Sequence, residues 1–591
     1  MRDLLRGRLT GRLDIDRLIE NAALPAPAAD CVRTVIKRTR LWKLEKVDVA
    51  HELIAHFHDG LEAGATPEQL AKDFGDPRTA AKLIRRAKKR QRPLAWHAMR
   101  YAGWLYIMLI AVYLGLWGVL FIGKPNITVD YLPKLNAAAA AVPEEQRAWP
   151  IYRAALVAMG YQDDGYGKNQ LLKVVDIIHP DEPDDAKWPE LADLLQRHRT
   201  SIDQLCKAAS MPGLGFQVGF GIDDTDRVMF GQRLQSNNTP QSPNDTLIGV
   251  IFPHLGPLRT VAILLAADTH LAAINKDALR VERNLIAMLN VSTHATETPA
   301  LINSFVAISC RSMMLQTLGT IVHKHRDLLG NEQLRNLAHR LSNHRHQQLI
   351  HYEWERFAFY DAVQRIYSTT GLPDKQGVKL ASNLDIELFE PKDELLEIAL
   401  TPAKVLLWAP PKEMIQVYDQ LLDKMERSMT VPMYKMPTSG IDKQVETLSP
   451  LRYELIKILM PHLEPLRRVL EIHQSKYDGI NLGIALELYH RSKGHWPAKL
   501  EDLVPQYLPA IPIDRITGGP INYRVLDDGP IAYSVGVNRD DDGGTIPDDL
   551  DLIRWYGRQS HPVMTWLTDE QYEQQHDSLP NGDWVIWPVN Q

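Results

Sequence analysis

The sequence predicts a mainly α chain: a small cytoplasmic helical bundle, one transmembrane helix, a large helical exported domain and a C-terminal α+β module. Three observations carry this. From Tyr101 to Gly123 there are 23 residues without a charge. On both sides of that stretch apolar residues recur at helical spacing, with capping residues between them. Near the end of the chain the pattern changes to two β-like runs, Ile521 to Leu526 and Pro530 to Val535, joined by Asp527-Asp528-Gly529, a hairpin signal. The 591 residues allow three or four units. With 45% apolar and 24% charged residues, whole-chain disorder and a polytopic transporter are excluded as classes. Three cysteines, Cys31, Cys206 and Cys310, and no Cys-x-x-Cys pair leave no disulfide scaffold, zinc ribbon or redox dithiol. If Cys206 and Cys310 lie in an oxidising compartment they could pair, but spacing does not bring them within bonding distance.

Residues 1–97 form the first unit, and charge sets it apart. Residues 1–100 hold 21 Lys+Arg against 13 Asp+Glu, whereas the whole chain has a net charge of -6. The uncharged stretch 101–123 is long enough to cross about 30 Å of hydrocarbon as a helix that satisfies its own backbone. A buried soluble helix is the competing reading. Trp104, Tyr106 and Trp117 suit a membrane interface. Lys82, Arg85, Arg86, Lys88, Lys89, Arg90, Arg92 and Arg100 precede the span, and the excess of positive charge there places the N-terminus in the cytoplasm. The first twenty residues are too charged for a cleavable signal peptide. The basic run also suits anionic lipid headgroups, while nucleic acid is not expected, because no reading motif accompanies it.

Within this unit Val49, Leu53, Ile54, Phe57 and Leu61 make a helical stripe that Gly64 stops. Thr66-Pro67-Glu68-Gln69 is a capping box with Pro at the first helical position, Gly75 closes that helix, and Asp76-Pro77 starts another. The run DVAHELIAHFHDGLEAGATPEQLAKDFGDPRTAAKLI resembles, over residues 40–90, the HAAS-type or permease-prefix domain. That resemblance implies a signalling or regulatory adaptor and no catalytic residue. His51 and His56 imitate a zinc-protease motif, but five helical steps separate their rings by about 140°.

Residues 124–255 read as loop-rich, with a helix from Pro143 to Gly160 and a turn region around Gly213, Gly215, Gly219 and Gly221 that matches neither the dinucleotide fingerprint nor a phosphate loop. Residues 256–451 read as helical hairpins: one helix from Pro257, a second capped by Asp277, a third from Thr298-Pro299. The 42-residue offset between the Pro-led starts suits a helical repeat, an architecture that usually binds partners. His323, His325, His339, His344, His346, His351, Glu353 and Glu355 fall within this domain. His351 and Glu355, at i,i+4 spacing, could hold a metal from one helix face; a solvated face is the other reading.

Residues 452–591 form the last unit. A helix from about Arg452 to Arg491 leads into Gly494-His495-Trp496-Pro497, a short helix through Leu500 and Leu503, and the β hairpin. The string A-L-E-L-Y, G-x-W-P, L-E-D-L-V-P, P-I-D, G-G-P, Y-S-V-G over residues 480–551 resembles the globular part of the major pseudopilin of type II secretion systems, although more than 300 residues separate it from the apolar span. Asn538, Asp540 and Asp542 alternate, Gly543 follows and Asp549 lies eleven positions after Asn538, close to a calcium loop. Asn538, Asp540, Asp542, Asp549 and Asp551 are the candidate Ca2+ ligands, and the resemblance implies calcium in the matching loop; a solvated acidic turn is the alternative.

The expectation is a single-pass bacterial inner-membrane protein with its C-terminal bulk in the periplasm, binding an envelope partner in a structural or signalling role. The alternatives are a metal-dependent envelope enzyme built on His351 and Glu355, or an accessory part of a secretion system. No legible set of nucleophile, base and orienting group favours an enzyme.

Overall fold

The structure is a computed structural model. It describes residues 14–92, 94–122, 127–162, 188–219, 226, 229–230, 247–345, 349–372, 375–378, 407–546, 566–575, 579 and 581–588. It is mainly helical, and its contacts divide into two units, Met1–Leu116 and Trp117–Gln591.

The first unit contains α1 (Ile15–Asn21), α2 (Ala26–Thr39), α3 (Lys43–Glu62), α4 (Pro67–Asp73), α5 (Pro77–Arg90) and, as far as Leu116, α6 (Leu94–Ile122). The helix starts follow from side-chain caps. Thr66 and Gln69 exchange bonds with each other's backbone N–H at 3.4 and 3.2 Å, and the Asp76 carboxylate accepts from Arg78 and Thr79. Gly64 and Gly75 end the preceding helices at φ +87 and +78, where any side chain would be strained. Val49, Leu53, Ile54 and Phe57 of α3 meet Val32, Val35 and Ile36 of α2 in a closed core. His51 and His56 are exposed. Ahead of α6, the Arg92 guanidinium lies between the Trp42 and Trp96 rings, 4.1 and 4.3 Å from their centres, and makes two 2.6 Å bonds to the Glu45 carboxylate. In α6 the window Trp96–Gly115 has none of its residues buried.

The second unit begins with two short turns, α7 (Leu132–Leu135) and α8 (Ala137–Ala141), followed by α9 (Trp149–Ala158), α10 (Trp188–Arg197) and α11 (Arg199–Ala209). The helix expected from Pro143 starts six residues later. Glu144–Gln146 forms one 3-10 turn, and the chain then runs extended so that Ala148 and Trp149 donate to the carbonyls of Gly213 and Leu214. The glycine turn thus has a structural use: the Leu214 and Gly215 N–H groups reach the Glu297 carboxylate at 2.7 and 2.6 Å, and Gly215 sits at φ +70.

Next come α12 (Leu255–Ile274), α13 (Ala278–Ala295) and α14 (Leu301–Lys324), each packed against the other two. They enclose a polar knot. Asp268 accepts from both Arg280 nitrogens and from Asn284, whose amide oxygen accepts from the Cys206 thiol at 3.3 Å. Breaking one partner of such a buried pair leaves an uncompensated charge. Cys206 and Cys310 are free, buried thiols, so the contemplated disulfide is absent, and burial pushes the Cys206 thiol up to about 12.

A second apolar cluster joins Leu301 and Ile308 of α14 to α15 (Asn331–Arg345)-distal segments: α16 (Glu353–Ile366), α17 (Pro411–Met429), α18 (Ile441–Thr447) and α19 (Pro450–Leu459). A β1–β2 hairpin (Tyr367–Leu372, Lys375–Val378) follows α16. The helix expected from Arg452 is broken at Met460-Pro461, because proline cannot continue the hydrogen-bond ladder, and restarts as the 31-residue α20 (Leu463–Lys493). Gly494, at φ +76, closes it. Leu466 of α20 belongs to the second cluster, whereas Ile480, Ile484 and Leu488 belong to the larger one. The C-terminal sheet has the order β3 (Asn522–Leu526), β4 (Gly529–Ser534), β5 (Trp584–Trp587), all antiparallel.

Glu355 ties α16 to the start of α14 within the second cluster. It is 8% exposed; one carboxyl oxygen caps α14 by accepting from the Leu301 N–H at 2.9 Å, and the other has no hydrogen-bond partner. Burial pushes its pKa from 4.5 up to about 8, outweighing the bond from Leu301. The folded state therefore holds this proton more tightly than the unfolded chain. That stabilisation is complete below about 4.5 and is lost as pH rises through about 8. We expect the unfolding free energy of the second unit to fall on going from about pH 6 to about pH 9, by an amount on the order of 2–4 kcal/mol, and its melting temperature to fall with it. Glu355→Gln, which keeps the cap but cannot ionise, should flatten that dependence in melts followed by circular dichroism; an unchanged slope would remove Glu355 as its source.

Candidate metal site

The β3–β4 hairpin delivers the chain into the acidic loop. Tyr533 on β4 donates to Asp541 at 2.9 Å, which also accepts from the Gly543 N–H and faces Arg524 at 3.6 Å. These bonds hold Asp541 below the usual carboxylate range, the Gly543 N–H contributing most. Arg539 takes a left-handed conformation at φ +62, and Gly543 and Gly544 follow at φ +72 and +87, so the backbone doubles back within a few residues. Helix α21 (Asp569–Gln575) braces the turn from outside, with the Tyr572 hydroxyl donating to the Asn538 carbonyl at 2.8 Å and Arg539 lying over the Tyr572 ring.

The segment leading into β5 completes the site from 40 residues away. Gly582 N–H donates to Asp542 Oδ2 at 2.8 Å, and Asn538 Nδ2 reaches Asn581 Oδ1 at 3.0 Å and Asp542 Oδ2 at 3.4 Å. Asp583, 2% exposed, accepts from the Gly544 N–H at 2.6 Å, while its own N–H donates to the Thr545 carbonyl at 2.7 Å. Two buried oxygens then remain without a donor: Asn538 Oδ1 and Asp583 Oδ1. Burial first, and then the charges of Asp542 and Asp541, push the Asp583 carboxyl up. A buried lone pair with no donor is costly, and a hard cation is one way to satisfy it.

Of the five expected ligands, Asn538 and Asp542 meet here, and Asp540 lies on the exposed side of the loop. Asp549 and Asp551 lie outside the described residues. Asp583 and Asn581 were not anticipated. The signal for them was present as Asn581-Gly582-Asp583, an acid inside a turn directly before the apolar run Trp584–Trp587. Among the described residues no three carboxylate, imidazole or thiolate side chains converge on one point, so amide and backbone oxygens must share any coordination here.

The histidine cluster does not assemble. His351 precedes α16, which starts at Glu353, so it shares no helix face with Glu355; its ring lies 3.8 Å from Glu353, and Glu355 turns inward to Leu301. Glu355 is therefore neither on a solvated face nor paired with His351. His323 packs edge-on against Trp587 and His339 is exposed; His346 lies outside the described residues. No family model matches the chain, and neither the curated proteins nor the solved structures compared with it include a match.

Without a cation, Asp583 is a liability to the fold. In the presence of a chelator, Asp583→Asn is expected to stabilise the protein by about 1 kcal/mol, since it removes a buried charge beside Asp541 and Asp542. Chemical unfolding followed by tryptophan fluorescence, with Trp566, Trp584 and Trp587 nearby, reads this directly; a destabilised variant in chelator would contradict the arrangement.

Proposed function

We propose that the chain is a single-pass protein of a bacterial inner membrane, with a cytoplasmic helical adaptor, α6 as its anchor, and an exported partner-binding body that ends in a calcium-holding, pseudopilin-like module. The observation that carries this reading is the contrast among three long apolar helices. The windows in α12 and α14 are 89% and 72% buried by their neighbours, while the one in α6 is 0% buried. Twenty residues of uncovered apolar helix have no stable place in water, and a bilayer covers them at once. The basic flank on α5 favours the orientation with the N-terminus in the cytoplasm.

The role is scaffolding or signalling. The first unit supports an adaptor in the manner of the HAAS-type domain: a closed core with polar helix faces. The His351–Glu355 pairing needed by the enzyme alternative lacks a common helix. Calcium is the preferred cation because Asn538, Asp542, Asp583 and the backbone carbonyls of the loop are all oxygen donors, and calcium accepts such irregular sets where magnesium demands an octahedron.

Two outcomes follow. A reporter fused after Gln591 should be active only in a form that works outside the cytoplasm, and one fused before Met1 only in a form that works inside; the reverse pattern sinks the topology. For the full chain in detergent, titration calorimetry should give calcium binding at roughly 0.1–1 mM, as in extracellular modules, with magnesium weaker. Asp542→Asn combined with Asp583→Asn should abolish it, and calcium heats unchanged by that pair would leave the loop a plain acidic turn.

A further inference from the structure

The C-terminal face of α5 and the start of α6 gather more positive charge than the fold neutralises. Arg85 and Lys89 lie one helical turn apart and are half-buried. Arg92 and Arg100 approach the same indole, Trp96, at 4.3 and 5.6 Å. The carboxylate in their midst is Glu45, and Arg92 occupies both of its oxygens at 2.6 Å, with the Trp42 N–H on one of them at 3.0 Å. Arg85 Nε is buried and has no hydrogen-bond partner. The Lys89 ammonium is held below its ordinary range by burial and then by Arg85, Arg100 and Arg92, which means that the cations sense one another across this face. Lys88, by contrast, is spoken for: it reaches Glu52 at 2.8 Å.

We propose that Arg85, Lys89 and Arg100 form a discrete site for the phosphodiester headgroup of an anionic glycerophospholipid, with the Trp96 ring at the level of its glycerol. This rests on reading α6 as a membrane span. The chemistry asks for an oxyanion: guanidinium groups bind phosphate oxygens through parallel N–H bonds, and the half-buried Arg85 and the exposed Arg100 supply two of them beside the Lys89 ammonium. A lipid fits better than free phosphate because the uncovered apolar surface begins at Trp96, beside the cations, so acyl chains attached to the bound phosphate would lie along Met99, Tyr101 and Leu105, all exposed. Indole rings settle at this depth of a bilayer. The exposed Lys82, Arg86 and Arg90 lie on a neighbouring stripe of α5 and make only diffuse contact with a charged surface.

Native mass spectrometry of the full chain, released from nanodiscs that contain equal amounts of phosphatidylglycerol and phosphatidylcholine, tests the site. One phosphatidylglycerol should be retained with at least about tenfold preference, and Arg85→Gln with Arg100→Gln should abolish that preference. Lys82→Gln with Arg86→Gln and Arg90→Gln should leave it intact. Arg85→Lys with Arg100→Lys keeps the charge and should restore part of the retention, which separates loss of the site from loss of the fold. Equal loss in both glutamine sets, no preference in the unaltered protein, or equal displacement by millimolar inorganic phosphate would each overturn the proposal. Alkaline carbonate extraction of the unaltered protein reads the span separately: a chain that is extracted refutes the anchor whatever its lipid preference.

Discussion

The second unit depends on a helix and a strand touching backbone to backbone. At Gly479 and Gly483 of α20 a side-chain carbon would overlap the Ile586 carbonyl and the Trp587 ring, so β5 can lie on the helix only because both positions lack a side chain. That contact fixes much else. It seats Trp584, Ile586 and Trp587 in the large apolar cluster. It lets β5 pair with β4, and it delivers Asn581, Gly582 and Asp583 to the acidic loop at the head of the strand. The proposed cation site is thus a by-product of how α20 packs. The same helix reaches back through Leu466 into the second cluster, and its Glu471 and Asp478 hold Arg515 at 3.0 and 2.7 Å beside the sheet.

Buried or half-buried carboxylates recur where elements of this unit meet. Glu297 closes a glycine turn, Glu355 caps α14, Asp268 ties α12 to α13, and Asp583 receives the loop's N–H groups. Each carboxylate satisfies backbone or guanidinium donors that the apolar core cannot, which is the usual condition for burying such a group. Asp268 is saturated by Arg280 and Asn284, whereas Glu355 and Asp583 each keep one oxygen unpaired. That difference leaves Glu355 and Asp583, unlike Asp268, each with a buried lone pair that no donor satisfies.

Local features were legible in the sequence and long-range partners were not. The Thr66–Gln69 box, the Asp76 and Asp277 caps, the stops at Gly64, Gly75 and Gly494, and the Asp527-Asp528 turn are decided within four residues, and each occurs where its chemistry placed it. Pro461 is a local stop inside the single helix expected from Arg452 to Arg491, and two helices exist there. Glu355 reaches Leu301 across 54 positions and Asn538 reaches Asn581 across 43, separations at which spacing carries no information about direction. Charged neighbours made the His351 region resemble a solvated face, because Arg356 is indeed directed to Asp419 and Asp423 while Glu355, one position away, points inward.

The stack of Trp42, Arg92 and Trp96 has a mechanical meaning. A connection between a bundle and a long helix is ordinarily a hinge, free to swivel and to absorb whatever the helix does. Here the guanidinium is clamped between two rings and pinned at both ends of its fork by Glu45, at the N-terminus of α3. Twisting α6 about its axis would drag Trp96, and with it the first turn of α3, instead of being lost in slack. The joint is keyed: α6 cannot turn far about its axis without breaking the Arg92–Glu45 bonds or the stack of Arg92 between the two rings.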